Sequence, residues 1–325
     1  MNRRSFFFVV CCASDVLSMI ANAQQSRTYR IGYLHPTDSS DVLYLSFLGA
    51  LKDLGYVVGR NTTIEARFAG NSTERLPALA AELVAKRVDV IVAVAPTAID
   101  AARAATQTIP IVMAFSGGDP VKSGFAASLA RPGGNITGVT AVALEIAPKW
   151  IELLRELVPG LRRVAVLRTP ARPDHTAQVN ALRAAAQSYG IDLDVIEADS
   201  IDQFAGAFAA MASAGSQAIV VLTGPAVVSG RARIIELAAR HRLPSVFQFA
   251  YFVLDGGLVA YGPDVADLSA RAAAYVDKIL KGANPGEMPI EQPRRLFLSI
   301  NRKTARALGI RIPPALILQA DQVVQ

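Results

Sequence analysis

Cysteine is nearly absent: Cys11 and Cys12 are the only two in the 325-residue chain. Once residues 1–23 are removed, as expected below, no thiol remains for a disulfide, a nucleophile or a cysteine-based metal site. No apolar run approaches the roughly 18 residues of a membrane span. The formal net charge is +6, but the basic residues are scattered among acidic ones. The chain therefore lacks the clustered basic surface of a nucleic-acid-binding protein.

Motifs that carry catalytic chemistry are also missing. Neither nucleotide-binding fingerprint occurs, G-x-G-x-x-G or G-x-x-x-x-G-K-[ST], and there is no G-x-S-x-G elbow. The glycines at 133 and 134 lead into Ile-Thr-Gly rather than a helix, which predicts a turn. The three histidines have no metal-ligand spacing: His241 is expected at a helix end, His175 in solvent, and His35 just after the first strand. We therefore predict no cofactor, no bound metal and no assembled catalytic site.

The first 23 residues have the features of an export signal. Arginines at positions 3 and 4 precede the apolar run 6–13, and Ala21-Asn22-Ala23 offers a cleavage site. The run NRRSFFF also resembles a twin-arginine signal. The residues before Cys12 lack the small side chain that a lipoprotein signal needs. We expect cleavage near Ala23 and release into the periplasm, with an ordinary cytosolic N-terminus as the alternative.

Short β-branched runs alternate with helical stretches along the rest of the chain, a pattern typical of parallel βαβ units. Asp41 and Asp174 are expected to cap the starts of two of these helices, which stop at Gly55 and Gly190. The pattern occurs twice in the same order. RIGYLHP corresponds to RRVAVLRTP, DVIVAVAPTAI to QAIVVLTGPAV, and TIPIVMAF to RLPSVFQF. We predict an α/β protein of two doubly wound parallel-sheet lobes, similar to each other and joined by hinge crossings. Lobe 1 is expected to contain residues 28–143 and 262–286, and lobe 2 residues 144–261 and 287–325.

Open parallel sheets bind ligands outside the carboxyl ends of their strands, so two facing lobes create a cleft. In lobe 1, Thr97 is expected at a helix N-terminus, which favours an anion such as a carboxylate. Ser116 and Gly117 bring backbone amides close, unless they form a plain turn before Asp119 and Pro120. The predicted ligand-contacting residues are Tyr33, His35, Ala95, Thr97, Phe115, Ser116, Gly117 and Asp119 from lobe 1, and Thr169, Thr223, Phe249 and Tyr251 from lobe 2. The three aromatic residues Phe115, Phe249 and Tyr251 offer flat walls, although each alone is also a core candidate.

Longer motifs resemble one family. They are TIPIVMAFSGGDPVKSGFAASLARPGGNITGVT, ELAARHRLPSVFQFAYFVLDGGLVAYGPD and INRKTARALGIRIPPALILQAD. Together they look like ABC transporter substrate-binding proteins of the tryptophan/aromatic-amino-acid type, which have a type I periplasmic-binding-protein fold. The resemblance covers about residues 28–320. It implies capture of a small molecule in the periplasm, closure of the lobes, and delivery to an ABC permease and its ATPase subunit.

One loop departs from that family. Amino-acid-binding members commonly place an acidic residue after a lobe-2 strand, where it faces the ligand ammonium. Here the loop reads Leu222-Thr223-Gly224-Pro225. Because an unpaired buried ammonium costs several kcal/mol, the sequence favours a small organic acid, for example an aromatic one. A tryptophan-like or phenylalanine-like amino acid is the alternative.

Two alternatives are a ligand-sensing protein, either a repressor or a receptor, and a periplasmic α/β enzyme. A sugar-responsive repressor would carry an N-terminal helix-turn-helix, where an export signal is expected instead. A receptor would carry a membrane span after its second lobe, and the sequence up to Gln325 has none. A periplasmic α/β enzyme would differ from a binding protein by converting its ligand.

Overall fold

The computed structural model describes residues 28–141, 143–170, 172–293 and 295–325. The expected export signal at 1–23 lies outside these residues. In the part of the chain that is described, no helix is both long enough and apolar enough to span a bilayer.

Lobe 1 contains a five-stranded parallel sheet in the order β2-β1-β3-β4-β5. Alternating residues of its central strand pack on different apolar cores, Val90 and Val92 on one face and Ile91 and Ala93 on the other. Helices therefore cover both faces. Its elements are β1 (Tyr29–His35), α1 (Val42–Asp53), β2 (Thr62–Phe68), α2 (Leu76–Ala85), β3 (Val90–Val94), α3 (Ala95–Ala105), β4 (Ile111–Phe115), β5 (Ile136–Gly138) and, later in the chain, α10 (Val265–Leu280).

Lobe 2 contains a seven-stranded sheet in the order β7-β6-β8-β9-β10-β11-β12. Trp150 is buried against it and donates its indole N–H to the carbonyl oxygen of Tyr261 at 2.8 Å. The elements of lobe 2 are α4 (Ala143–Leu157), β6 (Arg163–Arg168), α5 (Pro173–Ser188), β7 (Asp192–Glu197), α6 (Phe204–Ser213), β8 (Ala218–Val221), α7 (Pro225–Ser229), α8 (Arg231–Arg240), β9 (Ser245–Phe247), α9 (Ala250–Leu254), β10 (Val259–Pro263), β11 (Leu296–Asn301), α11 (Arg302–Leu308), α12 (Pro314–Gln319) and β12 (Gln322–Val324).

The two sheets share one topology. The order β2-β1-β3-β4-β5 in lobe 1 repeats as β7-β6-β8-β9-β10 in lobe 2. In both lobes the first strand of the half pairs with the second and the third. The duplication predicted from the paired sequence motifs is therefore confirmed, as is the fold of two doubly wound α/β lobes.

The second sheet is not parallel throughout, which corrects the expectation of two purely parallel sheets. β11 pairs antiparallel with β10, from Val259 opposite Ile300 to Pro263 opposite Leu296. The reason lies in the route of the chain. It leaves lobe 2 at the carboxyl end of β10, forms α10 on lobe 1 and returns to the edge that it left, so the next strand runs the other way.

Three crossings join the lobes, between β5 and α4, between β10 and α10, and before β11. At the last crossing, Thr137 in lobe 1 donates its hydroxyl to the carbonyl oxygen of Met288, and the amide of Glu291 donates to the carbonyl oxygen of Gly138. Residues 288–291 therefore contact lobe 1.

Of the two predicted helix starts, one is confirmed and the other is wrong. Asp41 caps α1 as expected, because its carboxylate accepts the amide N–H of Leu43 at 2.8 Å. Asp174 was expected to cap the helix that stops at Gly190. The capping position is instead Arg172, and the helix begins at Pro173. Proline favours the first helical position because it has no N–H to satisfy, so the cap lies two residues earlier than expected.

We expect Gly138→Ala to destabilise lobe 1 by about 2–5 kcal/mol. Gly138 has φ +130°, and a Cβ there would lie 2.6 Å from the backbone nitrogen of Met113. Urea unfolding measures the loss. The matched control is Gly134→Ala, where a Cβ would meet nothing within 4 Å. Similar midpoints for the two variants would contradict this reading of the β4–β5 contact.

Candidate functional site

The carboxyl ends of the two sheets face each other, and the lobes touch there. The hydroxyl of Ser229 in lobe 2 donates to the side-chain oxygen of Asn71 in lobe 1 at 2.9 Å. The rings of Phe115 and Phe249 approach to 5.4 Å between centroids across the same boundary. The described structure is therefore a closed arrangement of the lobes.

A small cavity of about 30 Å³ remains between the closed lobes. Six of the twelve residues predicted from the sequence contribute to its wall. Those six are His35, Ala95, Phe115, Thr223, Phe249 and Tyr251; the other lining residues are Pro36, Thr37, Asp41, Leu43, Val94, Arg172, Gly224, Pro225 and Val228.

The other six predicted residues lie around this cavity or away from it. Tyr33 is buried beneath it, with its ring stacked on His35 at 5.9 Å. Ser116 is also buried, and Thr97 is in the first turn of α3. Gly117 and Asp119 are described next, and Thr169 is described below together with His175.

Gly117 belongs to the contact between the lobes. A Cβ at this glycine would lie 3.5 Å from both the Asp174 carboxylate and the Gln178 amide of α5. Asp119, in contrast, accepts the amide of Val121 at 2.9 Å and so stabilises its own turn. Gly117 therefore lies at the boundary between the lobes. The side chain of Asp119 stabilises the turn that follows it and does not line the cavity.

Buried polar side-chain atoms without a hydrogen-bond partner are concentrated at this boundary. Native proteins keep such atoms rare, because each costs about 1–3 kcal/mol. All but one of those found among the described residues follow or end a strand on the cleft side; the exception, Ser216, precedes β8. The cleft-side atoms are the hydroxyls of Tyr33, Thr97, Ser116, Thr140, Thr169 and Thr223, the His35 Nε2 and the Gln248 Nε2.

Asp41 places a carboxylate in the cavity wall from lobe 1. Besides the amide of Leu43, it accepts the Thr37 hydroxyl at 3.3 Å. Its Oδ1 lies 3.5 Å from His35 Nε2, too long for a good hydrogen bond. Burial opposes ionisation, but His35, the Leu43 amide and Thr37 outweigh it, so the pKa of Asp41 is below its ordinary value. The carboxylate is therefore charged.

Arg172 places a guanidinium in the wall from lobe 2. It is not among the residues predicted from the sequence. Its Nε and Nη2 donate to the Asp174 carboxylate at 3.1 and 2.7 Å. The third nitrogen, Nη1, lies 3.8 Å from the position a Cβ on Gly224 would take. Burial opposes ionisation of Asp174, but Arg172 more than compensates and lowers its pKa. The pair is thus ionised, with one nitrogen of Arg172 turned toward the loop after β8.

His175 was expected in solvent and is instead fully buried. Its Nδ1 accepts the backbone N–H of Thr169 at 3.1 Å, and its Nε2 lies 2.9 Å from the carbonyl oxygen of Thr223. The two bonds assign the neutral tautomer with the proton on Nε2. Burial, followed by the charge of Arg172, lowers the pKa of His175 to about 4. The imidazole therefore ties the loop after β6 to the loop after β8.

The wall also contains several aromatic rings. Phe249 stacks on Tyr251 at 5.5 Å, and Tyr251 stacks on Phe252 at 4.8 Å. Burial raises the pKa of Tyr251 well above its ordinary value, so its hydroxyl remains protonated. With Phe115 on the opposite lobe, these rings form flat apolar surfaces on both sides of the cavity.

Backbone strain is found at the same place. Ala95 has φ +67°, which is unusual for a residue with a Cβ, and a register shift at Ala93/Val94 precedes it in the pairing of β3 with β4. Such strain costs about 1–3 kcal/mol and is concentrated at functional sites. It turns the chain sharply from β3 into α3, so that Ala95 itself faces the cavity.

A sequence profile described as "ABC transporter substrate binding protein" matches residues 35–324. The chain belongs to this family. Substrate-binding proteins of ABC systems bind small molecules and deliver them to the transporter. Across the parts that the structure describes, no group of His, Cys, Asp and Glu side chains is placed to hold a metal ion.

Several relatives are similar over most of the chain. A tyrosine-binding protein of Clostridioides difficile is 26% identical over 293 residues, which cover 89% of this chain and 83% of the relative. A solved domain from Streptococcus pneumoniae in complex with L-Trp is 26% identical, covers 91% of this chain and all of its own, and superimposes with a TM-score of 0.83. A conserved domain protein from Vibrio cholerae has the same identity and coverage, with a TM-score of 0.84.

We expect the free energy of unfolding to fall as the pH drops from about 6.5 to 4, because of His175. Its pKa is about 4 in the folded protein and about 6.5 in the unfolded chain. Between these values the unfolded state binds the additional proton, which removes up to ~1.4 kcal/mol of stability per pH unit. Urea unfolding at several pH values measures the slope, which His175→Gln is expected to flatten. His241→Gln, at the end of α8, serves as the control; equal slopes in all three proteins would contradict the assignment.

Proposed function

We propose that this chain is exported to the periplasm, captures an aromatic amino acid or a close analogue between its lobes, and passes it unchanged to an ABC permease driven by an ATPase. The observation that carries the proposal is the set of buried, unpartnered polar atoms at the meeting point of the two sheets. Two of them, the His35 Nε2 and the Thr223 hydroxyl, belong to residues that line the cavity, where a bound polar molecule would supply the hydrogen bonds that they lack.

The charges of the wall favour a zwitterion over a simple organic acid. Asp41 supplies a negative charge from lobe 1, while Arg172 and Asp174 nearly cancel each other in lobe 2. A ligand ammonium would offset Asp41, whereas an organic acid would add a second negative charge. The expectation of an organic acid rested on the missing carboxylate in the loop at 222–225. Asp41 provides a carboxylate from the opposite lobe instead.

The aromatic part of the proposal rests on Phe115, Phe249 and Tyr251, which line the cavity from both lobes. Flat rings stack in offset or edge-to-face geometry at 4.5–7 Å, the range already found between Phe115 and Phe249. The relatives that bind tyrosine and tryptophan support the same ligand class. Because only about 30 Å³ is enclosed, a ligand of this size requires the lobes to move apart before it enters.

We expect Asp41→Asn to weaken binding of L-tryptophan or L-tyrosine about 10- to 100-fold, because a buried charge pair is lost. Binding of indole-3-propionate, which has no ammonium, should be unchanged or tighter. Asparagine is an equally good helix cap, so α1 should persist. Isothermal titration measures the affinities, and Asp264→Asn, at the cap of α10, is the matched control. Stabilisation of the wild-type protein by aromatic acids but not by aromatic amino acids would reverse the choice of ligand.

We also expect the ligand to close the lobes. The radius of gyration from small-angle X-ray scattering should decrease at saturating concentrations of the tightest ligand in that panel, because bound ligand favours the closed state. Unchanged scattering at saturation would argue against closure by hinge motion.

Mass spectrometry of the released ligand tests whether the ligand is passed on unchanged. Recovery of a chemically altered molecule would indicate an enzyme.

A further inference from the structure

Two loops of lobe 2 meet at Gly224. A Cβ at this position would lie 2.8 Å from the Thr169 hydroxyl oxygen, 3.6 Å from Cε1 of His175 and 3.8 Å from Nη1 of Arg172. The glycine is thus required by the close approach of the loop after β6. We call the group formed by Thr169, Arg172, Thr223 and Gly224 the lobe-2 corner.

The polar groups of the corner are buried and incompletely bonded. The hydroxyls of Thr169 and Thr223 have no hydrogen-bond partner. Arg172 is 8% exposed and uses two of its three nitrogens on Asp174. Two hydroxyl donors and a guanidinium edge are the groups that bind a carboxylate. Among the described residues that line the cavity, no other lysine or arginine occurs.

We infer that the lobe-2 corner binds the carboxylate of the ligand, and that His175 is the positioning residue that holds its two loops in register. This inference rests on the proposed function and adds to it the orientation of the ligand, with the carboxylate on lobe 2 and the ammonium toward Asp41 on lobe 1. Of the corner residues, Arg172, Thr223 and Gly224 line the cavity and Thr169 adjoins Gly224. At the helix start that the sequence suggested for a carboxylate, Ala95 lines the cavity, Thr97 does not, and no arginine or lysine of the wall accompanies them.

His175 is suited to the positioning role because each of its ring nitrogens bonds a different loop. Nδ1 accepts from the amide of Thr169, and Nε2 donates to the carbonyl oxygen of Thr223. These are the two residues whose hydroxyls are unpartnered. The imidazole itself is behind them and outside the cavity wall. It therefore acts on the ligand through the threonines.

The test compares L-tryptophan with L-tryptophanamide, in which an uncharged amide replaces the carboxylate, by isothermal titration. We expect Arg172→Gln to weaken L-tryptophan about 10- to 100-fold and to leave L-tryptophanamide within about twofold. Arg172→Lys keeps the charge without the planar fork, so an intermediate loss is expected. Arg168→Gln is the matched control, because Arg168 ends β6 directly before the same loop but bonds Glu197 and Thr176 outside the cavity.

The role of His175 has its own readout. His175→Leu is expected to weaken L-tryptophan more than L-tryptophanamide and to speed hydrogen exchange at the Thr169 amide. His175→Gln, which retains a donor for the Thr223 carbonyl oxygen, is expected to recover part of the affinity. Equal losses for both ligands, or an unchanged exchange rate, would overturn the positioning role.

The same measurements distinguish an error in the role of the lobe-2 corner from an error in the proposed function. If L-tryptophan binds wild-type protein and Arg172→Gln equally well, the ligand class stands and the corner is wrong. If the wild-type protein binds neither aromatic ligand, the proposed function is wrong, and benzoate then tests the corner alone. Thermal stabilisation by benzoate in wild type but not in Arg172→Gln would support it; no stabilisation of the wild type would overturn it.

Discussion

The structure depends on one constraint, which is that two sheets present the polar ends of their strands to each other across one shared boundary. Parallel strands expose side chains and loops at their carboxyl ends, and here the ends of β1, β3, β4 and β5 meet those of β6, β8 and β9. Near all seven strand ends, hydroxyl groups, one ring nitrogen and one amide nitrogen are buried without hydrogen-bond partners. Elsewhere in the described chain, Ser216 is the single comparable atom. The free-energy cost of burying unpartnered polar atoms is therefore concentrated at the boundary between the lobes, next to the cavity proposed to hold the ligand.

Periodicity and repetition were sufficient to predict the architecture. A parallel βαβ unit admits few topologies, so two runs of matching motifs indicated two lobes with the same strand order. What the sequence could not reveal was the direction of β11. The helix α10 belongs to the segment 262–286 that was expected in lobe 1, and it packs on α1 and β4. The direction of β11 depends instead on the edge of the lobe-2 sheet that the returning chain joins, which no local sequence pattern encodes.

The site was predicted less completely, for reasons that differ between residues. The burial of His175 could have been predicted from the sequence. His175 has the helical spacing of one buried face of α5, which it shares with Val179, Leu182 and Ala186. Asp41 was interpreted only as a helix cap, although one carboxylate both caps α1 and faces the cavity. Arg172 had no signal in the sequence. It is paired with Asp174, whose carboxylate lies against Gly117 of the opposite lobe, and neither contact can be recognised from local sequence.

These features also explain why closure should depend on a ligand. The apolar contact between Phe115 and Phe249 favours closing, but an aromatic pair contributes only about 0.5–1.5 kcal/mol beyond the burial of its area. Against it stand the unpartnered atoms, each costing about 1–3 kcal/mol when buried. A ligand shifts a conformational equilibrium only through its different affinity for the two states. Under the proposed function, that difference would come from hydrogen bonds to groups of the cavity wall, such as the Thr223 hydroxyl and the His35 Nε2, which have no partner in the closed arrangement.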